Sequence, residues 1–278
     1  MNAITPATFG QLPAVRITAA DGAQAVVTLY GAHLVSWKGA DGQERIFCSA
    51  KSALDGSRAI RGGVPVIFPQ FNERGSGMRH GFARVSTWAL GEHGADGDTS
   101  FAEFELAPND LAPERAAAWP HDFRLRLRVT VGANKLAMAL EVDNRGADAF
   151  AFSCALHTYH LVDSIGAVRI DGLQAGPLAI GDTLDEIFYG VKGQVTLHAG
   201  SRKVELDQDG FTDAVVWNPG AANAAAMPDL EDDEYQRFVC IEPACIEPVT
   251  LAGGAQWRGH YGVSSQMGSG PQDQTPAS

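Results

Sequence analysis

Four stretches of this sequence gather residue types that can bind anions or move protons. In Phe238-Val239-Cys240-Ile241-Glu242-Pro243 a carboxylate ends an apolar run, and partial burial there would raise its pKa and make it a competent base. A strand-end glutamate satisfied by backbone donors is the alternative reading of that window. In Phe152-Ser153-Cys154-Ala155-Leu156-His157-Thr158-Tyr159-His160 two histidines stand three residues apart on an apolar strand. Strand geometry turns them to opposite faces, so they are not expected to share one metal; one would enter a site while the other points outward or caps a core edge, and a core histidine is the alternative reading. Arg79-His80-Gly81-Phe82-Ala83-Arg84 concentrates two guanidinium groups and an imidazole in an otherwise acidic chain. Guanidinium forks match phosphate oxygens, although a solvated basic turn would look the same. Arg61-Gly62-Gly63-Val64-Pro65 puts a cation before two glycines and a proline. Glycines permit close backbone approach and proline restricts the chain, which would hold Arg61 in place; a surface turn is again the alternative.

The elements that must position these residues read as strands. Phe123 to Val131 alternates strictly between apolar and polar residues, and after Gly132-Ala133-Asn134 the same period returns at Leu136, Met138, Leu140 and Val142. That pattern predicts an antiparallel hairpin with its arginines on the wet face. Short runs at 25–30, 101–106, 168–170, 195–198, 204–206 and 238–241 are separated by Gly-, Asp- and Pro-rich turns. Helical periodicity is nearly confined to 112–119 and 229–235. The expected fold is therefore all-β, a large antiparallel β-sandwich forming one domain over residues 1–263, with a polar, mobile tail over 264–278.

Composition narrows the partners. The chain has 278 residues and a formal charge of -12, which argues against nucleic acid and anionic membranes as ligands; an anion must be held locally. Neither a positively charged, apolar leader nor a bilayer-spanning run is evident, so the protein reads as cytoplasmic. Cys48, Cys154, Cys240 and Cys245 are expected to be reduced, and Cys240 with Cys245 lacks the second pair that a structural zinc site needs.

Taken together and in order, these segments resemble the aldose 1-epimerase superfamily, and within it the hexose-6-phosphate mutarotase branch. The likeness rests on Arg61-Gly62-Gly63-Val64-Pro65 with Phe68-Pro69, and on His80-Gly81-Phe82-Ala83-Arg84 with Trp88. It extends through Gly31-Ala32-His33-Leu34-Val35-Ser36-Trp37, His157-Thr158-Tyr159, Asp213 with Val215-Val216-Trp217-Asn218-Pro219, and Ile241-Glu242-Pro243. Arg79, Asn72 and Gly220 depart from residues common in that branch.

The resemblance implies a galactose-mutarotase-like sandwich that interconverts the α and β anomers of glucose 6-phosphate or a related aldohexose 6-phosphate. It puts His157 and Glu242 at the catalytic acid and base positions, and Arg61, Arg84 and Asp185 at substrate-binding ones, with Arg79 and His80 assisting. Asp182 rivals Asp185, and Glu247, in the repeated Cys-Ile-Glu-Pro, rivals Glu242. Opening a cyclic hemiacetal needs one group to take the anomeric proton and another to protonate the ring oxygen. No cofactor or metal is expected for that chemistry, and the partner is a small-molecule sugar phosphate bound by a monomer or weak homo-oligomer. An epimerase of unphosphorylated aldoses and a silent sugar-binding protein are the competing functions.

Overall fold

The computed structural model describes residues 3–267. Three antiparallel sheets account for its architecture. A four-stranded sheet is built in sequence order from Ile4–Phe9, Leu12–Thr18, Gln24–Thr28 and His33–Lys38. A nine-stranded sheet contains the expected hairpin, Phe123–Gly132 against Lys135–Asn144, beside the strand Gln256–Met267. The third sheet carries the chemistry. Its strands run in the order Leu184–Phe188, Asp213–Asn218, Phe238–Leu251, Phe150–Leu156 and Val66–Ile67, with Tyr159–Leu161 also paired to Phe238–Leu251.

The hairpin forms for the reason its sequence gives. Ala133 and Asn134, at its tip, both have positive φ, the conformation that matches the twist of the flanking strands. Leu125, Leu127 and Val129 point into the core, while Arg124, Arg126 and Arg128 lie on the other face and pair with Asp143, Glu141 and Glu103. The core lies between this sheet and the third one: Phe152 meets Trp257 edge-on with ring centroids 5.5 Å apart, and Phe68 approaches Phe123 at 6.0 Å. Burial of such aromatic surface is the main force holding the two layers together.

Two expectations about boundaries change. Ser264 to Met267, anticipated as the start of a mobile tail, instead extend the Gln256–Met267 strand in register with Arg202–Asp209. Residues 268–278 lie outside the described residues. Of the two anticipated helices, 112–119 yields Pro113–Ala118, whereas 229–235 yields only a 3-10 turn, Glu234–Arg237. No helix among the described residues is long and apolar enough to cross a membrane.

Candidate active site

The strand Phe238–Leu251 shows how a buried carboxylate reaches the surface of the third sheet. Successive side chains alternate faces. Val239, Ile241 and Cys245 join the large core between the sheets, and Phe238, Cys240, Ala244 and Ile246 pack in two smaller apolar clusters on the opposite face. Glu242 shares that opposite face and stands between those clusters. The repeated Cys-Ile-Glu-Pro cannot place its second glutamate equivalently, because an offset of five residues inverts the faces of a two-residue period. Glu247 is 77% exposed and lies 3.7 Å from Arg74, outside the cleft that Glu242 lines.

His157 reaches Glu242 from a break in the neighbouring chain. Regular pairing stops at Leu156 and resumes at Tyr159, and across the gap the His157 amide donates to the Pro65 carbonyl at 3.0 Å. The His157 ring stacks on Tyr159, with centroids 4.9 Å apart and planes 11° from parallel, and Trp217 meets it edge-on at 5.9 Å. These contacts hold Nδ1 at 3.3 Å from Glu242 Oε1. His160 faces elsewhere: its Nε2 lies 3.0 Å from the Tyr261 hydroxyl inside the core.

The cleft above this pair has a volume of about 340 Å³. Arg61, Arg79, His80, Arg84, His157, Asp185 and Glu242 all line it, so the structure gathers every residue singled out from the sequence. It does not bring Asp182 or Glu247 there. A larger hollow of about 560 Å³ beside Trp119 and Arg145 contains none of these residues.

Each cation is fixed differently. The Arg61 amide donates to Ser52 Oγ at 2.9 Å, and its guanidinium bonds Asp229 at 3.2 Å and the Tyr159 hydroxyl at 3.1 Å. Gly62 and Gly63, both at positive φ, follow it; a Cβ on Gly63 would collide with His33 Nε2 and the Leu34 carbonyl. His33 is buried and its Nε2 lies 2.8 Å from the Gly62 carbonyl, which anchors the same turn. Arg84 donates to the Arg79 carbonyl at 3.1 Å, and Arg79 donates to Asn72 Oδ1 at 2.9 Å. Among the described residues neither Arg79 nor Arg84 forms an ion pair with a carboxylate, and Arg84 Nε is buried without a partner. Burial and the neighbouring Arg61 and Arg79 pull the Arg84 pKa down to about 10. An anion entering the cleft would relieve that repulsion.

The imidazoles are kept neutral. Burial, with Arg84, Arg79 and Arg61 nearby, pushes His80 down to about 3. Its Nδ1 accepts the Asn72 amide at 3.2 Å, so the proton sits on Nε2 and is available as a donor. Burial also holds His157 well below the usual histidine range, reinforced by His80, Arg84 and Arg61. Glu242 is driven well above the usual carboxylate range, first by burial and then by Asp185, with Arg84 opposing. An ion pair of protonated His157 and ionised Glu242, the arrangement from which acid-base exchange starts, is therefore not the resting state of the free site. Burial disfavours both charges, so the resting pair is a neutral imidazole beside a neutral carboxylic acid.

A buried imidazole and carboxyl beside unpaired arginines on an all-β frame limit the possibilities, and comparison with known proteins decides among families. The aldose 1-epimerase family model matches residues 13–186, more than half of the chain. This chain belongs to the aldose 1-epimerase family. Its relatives include a protein from Cenchrus ciliaris that carries the provisional name glucose-6-phosphate 1-epimerase. That protein is 32% identical over 274 residues, covering 87% of this chain and 81% of its own. Among solved structures, a protein from Salmonella typhimurium provisionally described as a mutarotase superposes with a TM-score of 0.85 at 28% identity, covering 96% of this chain and 94% of that one. A galactose mutarotase-like protein from Clostridium acetobutylicum shares the fold, with a TM-score of 0.75 at 15% identity over 96% of this chain and 99% of its own. This family member is thus an isomerase on a galactose-mutarotase-like antiparallel sandwich.

Several site residues had little sequence signal. Asp229 reaches Arg61 from a distant loop, and nothing local marks it. Trp217 and Tyr159 are more legible: Tyr159 lies two residues beyond His157, and Asp185, Trp217, Cys240 and Tyr159 are neighbours in one cross-strand row.

Proposed function

We propose that this member of the aldose 1-epimerase family acts on a hexose 6-phosphate, interconverting the α and β anomers of glucose 6-phosphate or a close relative by acid-base catalysis. The observation that carries the reading is the juxtaposition in one cleft of the His157–Glu242 pair, 3.3 Å apart, with Arg79 and Arg84, which have no carboxylate partners among the described residues. A phosphate at the arginine end would position the anomeric carbon against the pair, so that binding energy remote from C1 is used for orientation. The provisional name of the Cenchrus ciliaris relative points to the same substrate.

His157 and Glu242 share one transferable proton. In the resting arrangement it sits on Glu242; moving it to His157 gives the ionised arrangement without changing the number of protons in the site. From there Glu242 takes the anomeric hydroxyl proton as the C1–ring oxygen bond breaks, and His157 protonates the ring oxygen. The aldehyde turns, and the reverse transfers close the ring on its other face. Atoms and protons balance with no oxidant, and Asp185 with the His80 Nε2 proton orients hydroxyls. This chemistry requires no metal, so exhaustive chelation is expected to leave the rate unchanged; loss restored by one divalent ion would overturn that expectation.

Anomer exchange of glucose 6-phosphate, followed by magnetisation transfer with and without protein, tests the reaction. Arg84→Ala is expected to lower kcat/KM for the phosphorylated sugar by about 10–100-fold, since charge-assisted bonds contribute roughly 1.5–3 kcal/mol, with little change for free glucose. Arg61→Ala is expected to act in the same direction. Equal losses on both sugars, or a wild type preferring free glucose, would assign the protein to unphosphorylated aldoses.

A further inference from the structure

Cys240 and Glu242 stand two residues apart on the same face of the Phe238–Leu251 strand, and His157 closes over them. A ring nitrogen of His157, Sγ of Cys240 and a carboxylate oxygen of Glu242 all lie within 4.8 Å of one another. The spacing between His157 Nδ1 and Glu242 Oε1 is 3.3 Å. Two zinc–ligand bonds of about 2.0–2.1 Å at a tetrahedral angle span about 3.3 Å, so those two atoms already have the bite of one ion. Bringing Sγ to its bonding distance of about 2.3 Å, about 3.5 Å from either other donor at a tetrahedral angle, needs a closure of about 1.3 Å at most, within reach of a side-chain adjustment. His157 Nδ1 and Glu242 Oε2 are buried without hydrogen-bond partners. The Glu242 side chain is only 1% exposed.

We propose that these three side chains form an inhibitory site for a borderline divalent cation, with zinc as its representative ion. A nitrogen, a sulfur and a carboxylate oxygen are donor types that zinc accepts, and since His157 and Glu242 both line the cleft, a fourth ligand would come from there. Binding releases two protons to solvent, one from the Cys240 thiol and one from the Glu242 carboxyl group. Thiolate and carboxylate then supply two negative charges against the two positive charges of the ion, so the filled site adds no net charge beside Arg61 and Arg84. The metal occupies the lone pairs that acid-base exchange needs, which makes the bound protein inactive. Inhibition rests on the acid-base reading above; the metal site itself does not.

Titrating metal-stripped protein with Co2+ reads the site without turnover. A thiolate-to-cobalt charge-transfer band is expected at one ion per chain, displaced by an equivalent of Zn2+, and retained in Cys48→Ser, which alters the one cysteine that is not fully buried. Cys240→Ser is expected to lose the band, to keep the metal-free exchange rate, and to need at least 10-fold more zinc for half inhibition. No band in the wild type overturns the site, as does a Cys240→Ser variant as zinc-sensitive as the wild type. A band in a protein that binds zinc yet keeps full exchange activity overturns inhibition. A band in a wild type with no exchange activity sinks the mutarotase reading and leaves the metal site standing.

Discussion

An imidazole and a carboxyl group buried side by side cannot both hold charge cheaply unless they hold it together, and the His157–Glu242 pair meets that constraint with one shared proton. Removing either member is expected to leave the fold intact and the chemistry stranded. His157→Asn and Glu242→Gln are each expected to slow anomer exchange by about 10²-fold or more, in line with the usual contribution of a positioned acid or base. Glu247→Gln, altering the exposed twin of Glu242, is expected to leave the rate near wild type. Measuring exchange in the three variants beside their circular dichroism checks this, and an inactive Glu247→Gln with a normal Glu242→Gln would reverse the assignment. The sequence left Glu247 as a rival to Glu242; the two are separated by face alternation only once one strand is seen to run through both, from Phe238 to Leu251. The approach of His157 to Glu242 was not legible in the residues alone, because it depends on Phe150–Leu156 lying next to Phe238–Leu251, a pairing with no local signature.

At the scale of the element, the turn around Arg61 is fixed by its glycines more than by its cation. Gly63 has a φ of +65° and its missing Cβ leaves room for His33 and the Leu34 carbonyl. Gly63→Ala combines left-handed backbone strain with overpacking and is expected to lower unfolding free energy by roughly 2–5 kcal/mol and to raise KM for the phosphorylated sugar. Gly254 has a similar φ of +72° but open space around it, so Gly254→Ala isolates the backbone cost, about 1–2 kcal/mol, with KM unchanged. Urea unfolding of both variants, with steady-state kinetics, makes the comparison; equal losses of stability would mean that the close approach carries no weight. Elements with a strict period, such as Phe123–Gly132 and Lys135–Asn144, were readable from sequence. The apolar run over Phe152 to His160 was readable as strand, but its break at His157 and Thr158 was not, since the gap owes its conformation to neighbouring chain. The short helix Gly220–Ala225 likewise has no amphipathic pattern to announce it.

For the whole molecule, the buried histidines couple folding to pH. Burial lowers His33 to about 4, and His80 and His160 to about 3, with His157 held well below its usual value. A group with a depressed folded pKa contributes stability that is present above its unfolded value of about 6.5 and is lost as pH falls towards the folded value. Glu242 works the other way: with a raised folded pKa it retains a proton that the unfolded chain loses above about 4.5. Four histidines against one glutamate leave the unfolded chain binding up to about three more protons between about pH 6.5 and pH 4.5, and each such proton steepens the loss by about 1.4 kcal/mol per pH unit. The formal charge of -12 opposes this, because acidification relaxes self-repulsion, but that effect is spread over the surface and screened beyond about 8 Å at physiological salt. Urea unfolding at about pH 7 and pH 5 in such salt is therefore expected to show a marked loss of stability on acidification. His160→Gln, which removes one buried imidazole from the core without touching the cleft, is expected to flatten that dependence by about 1.4 kcal/mol per pH unit. Stability that holds level or rises from pH 7 to pH 5 would mean that these histidines accept protons without unfolding, and the neutral resting pair assigned to His157 and Glu242 would fall with them.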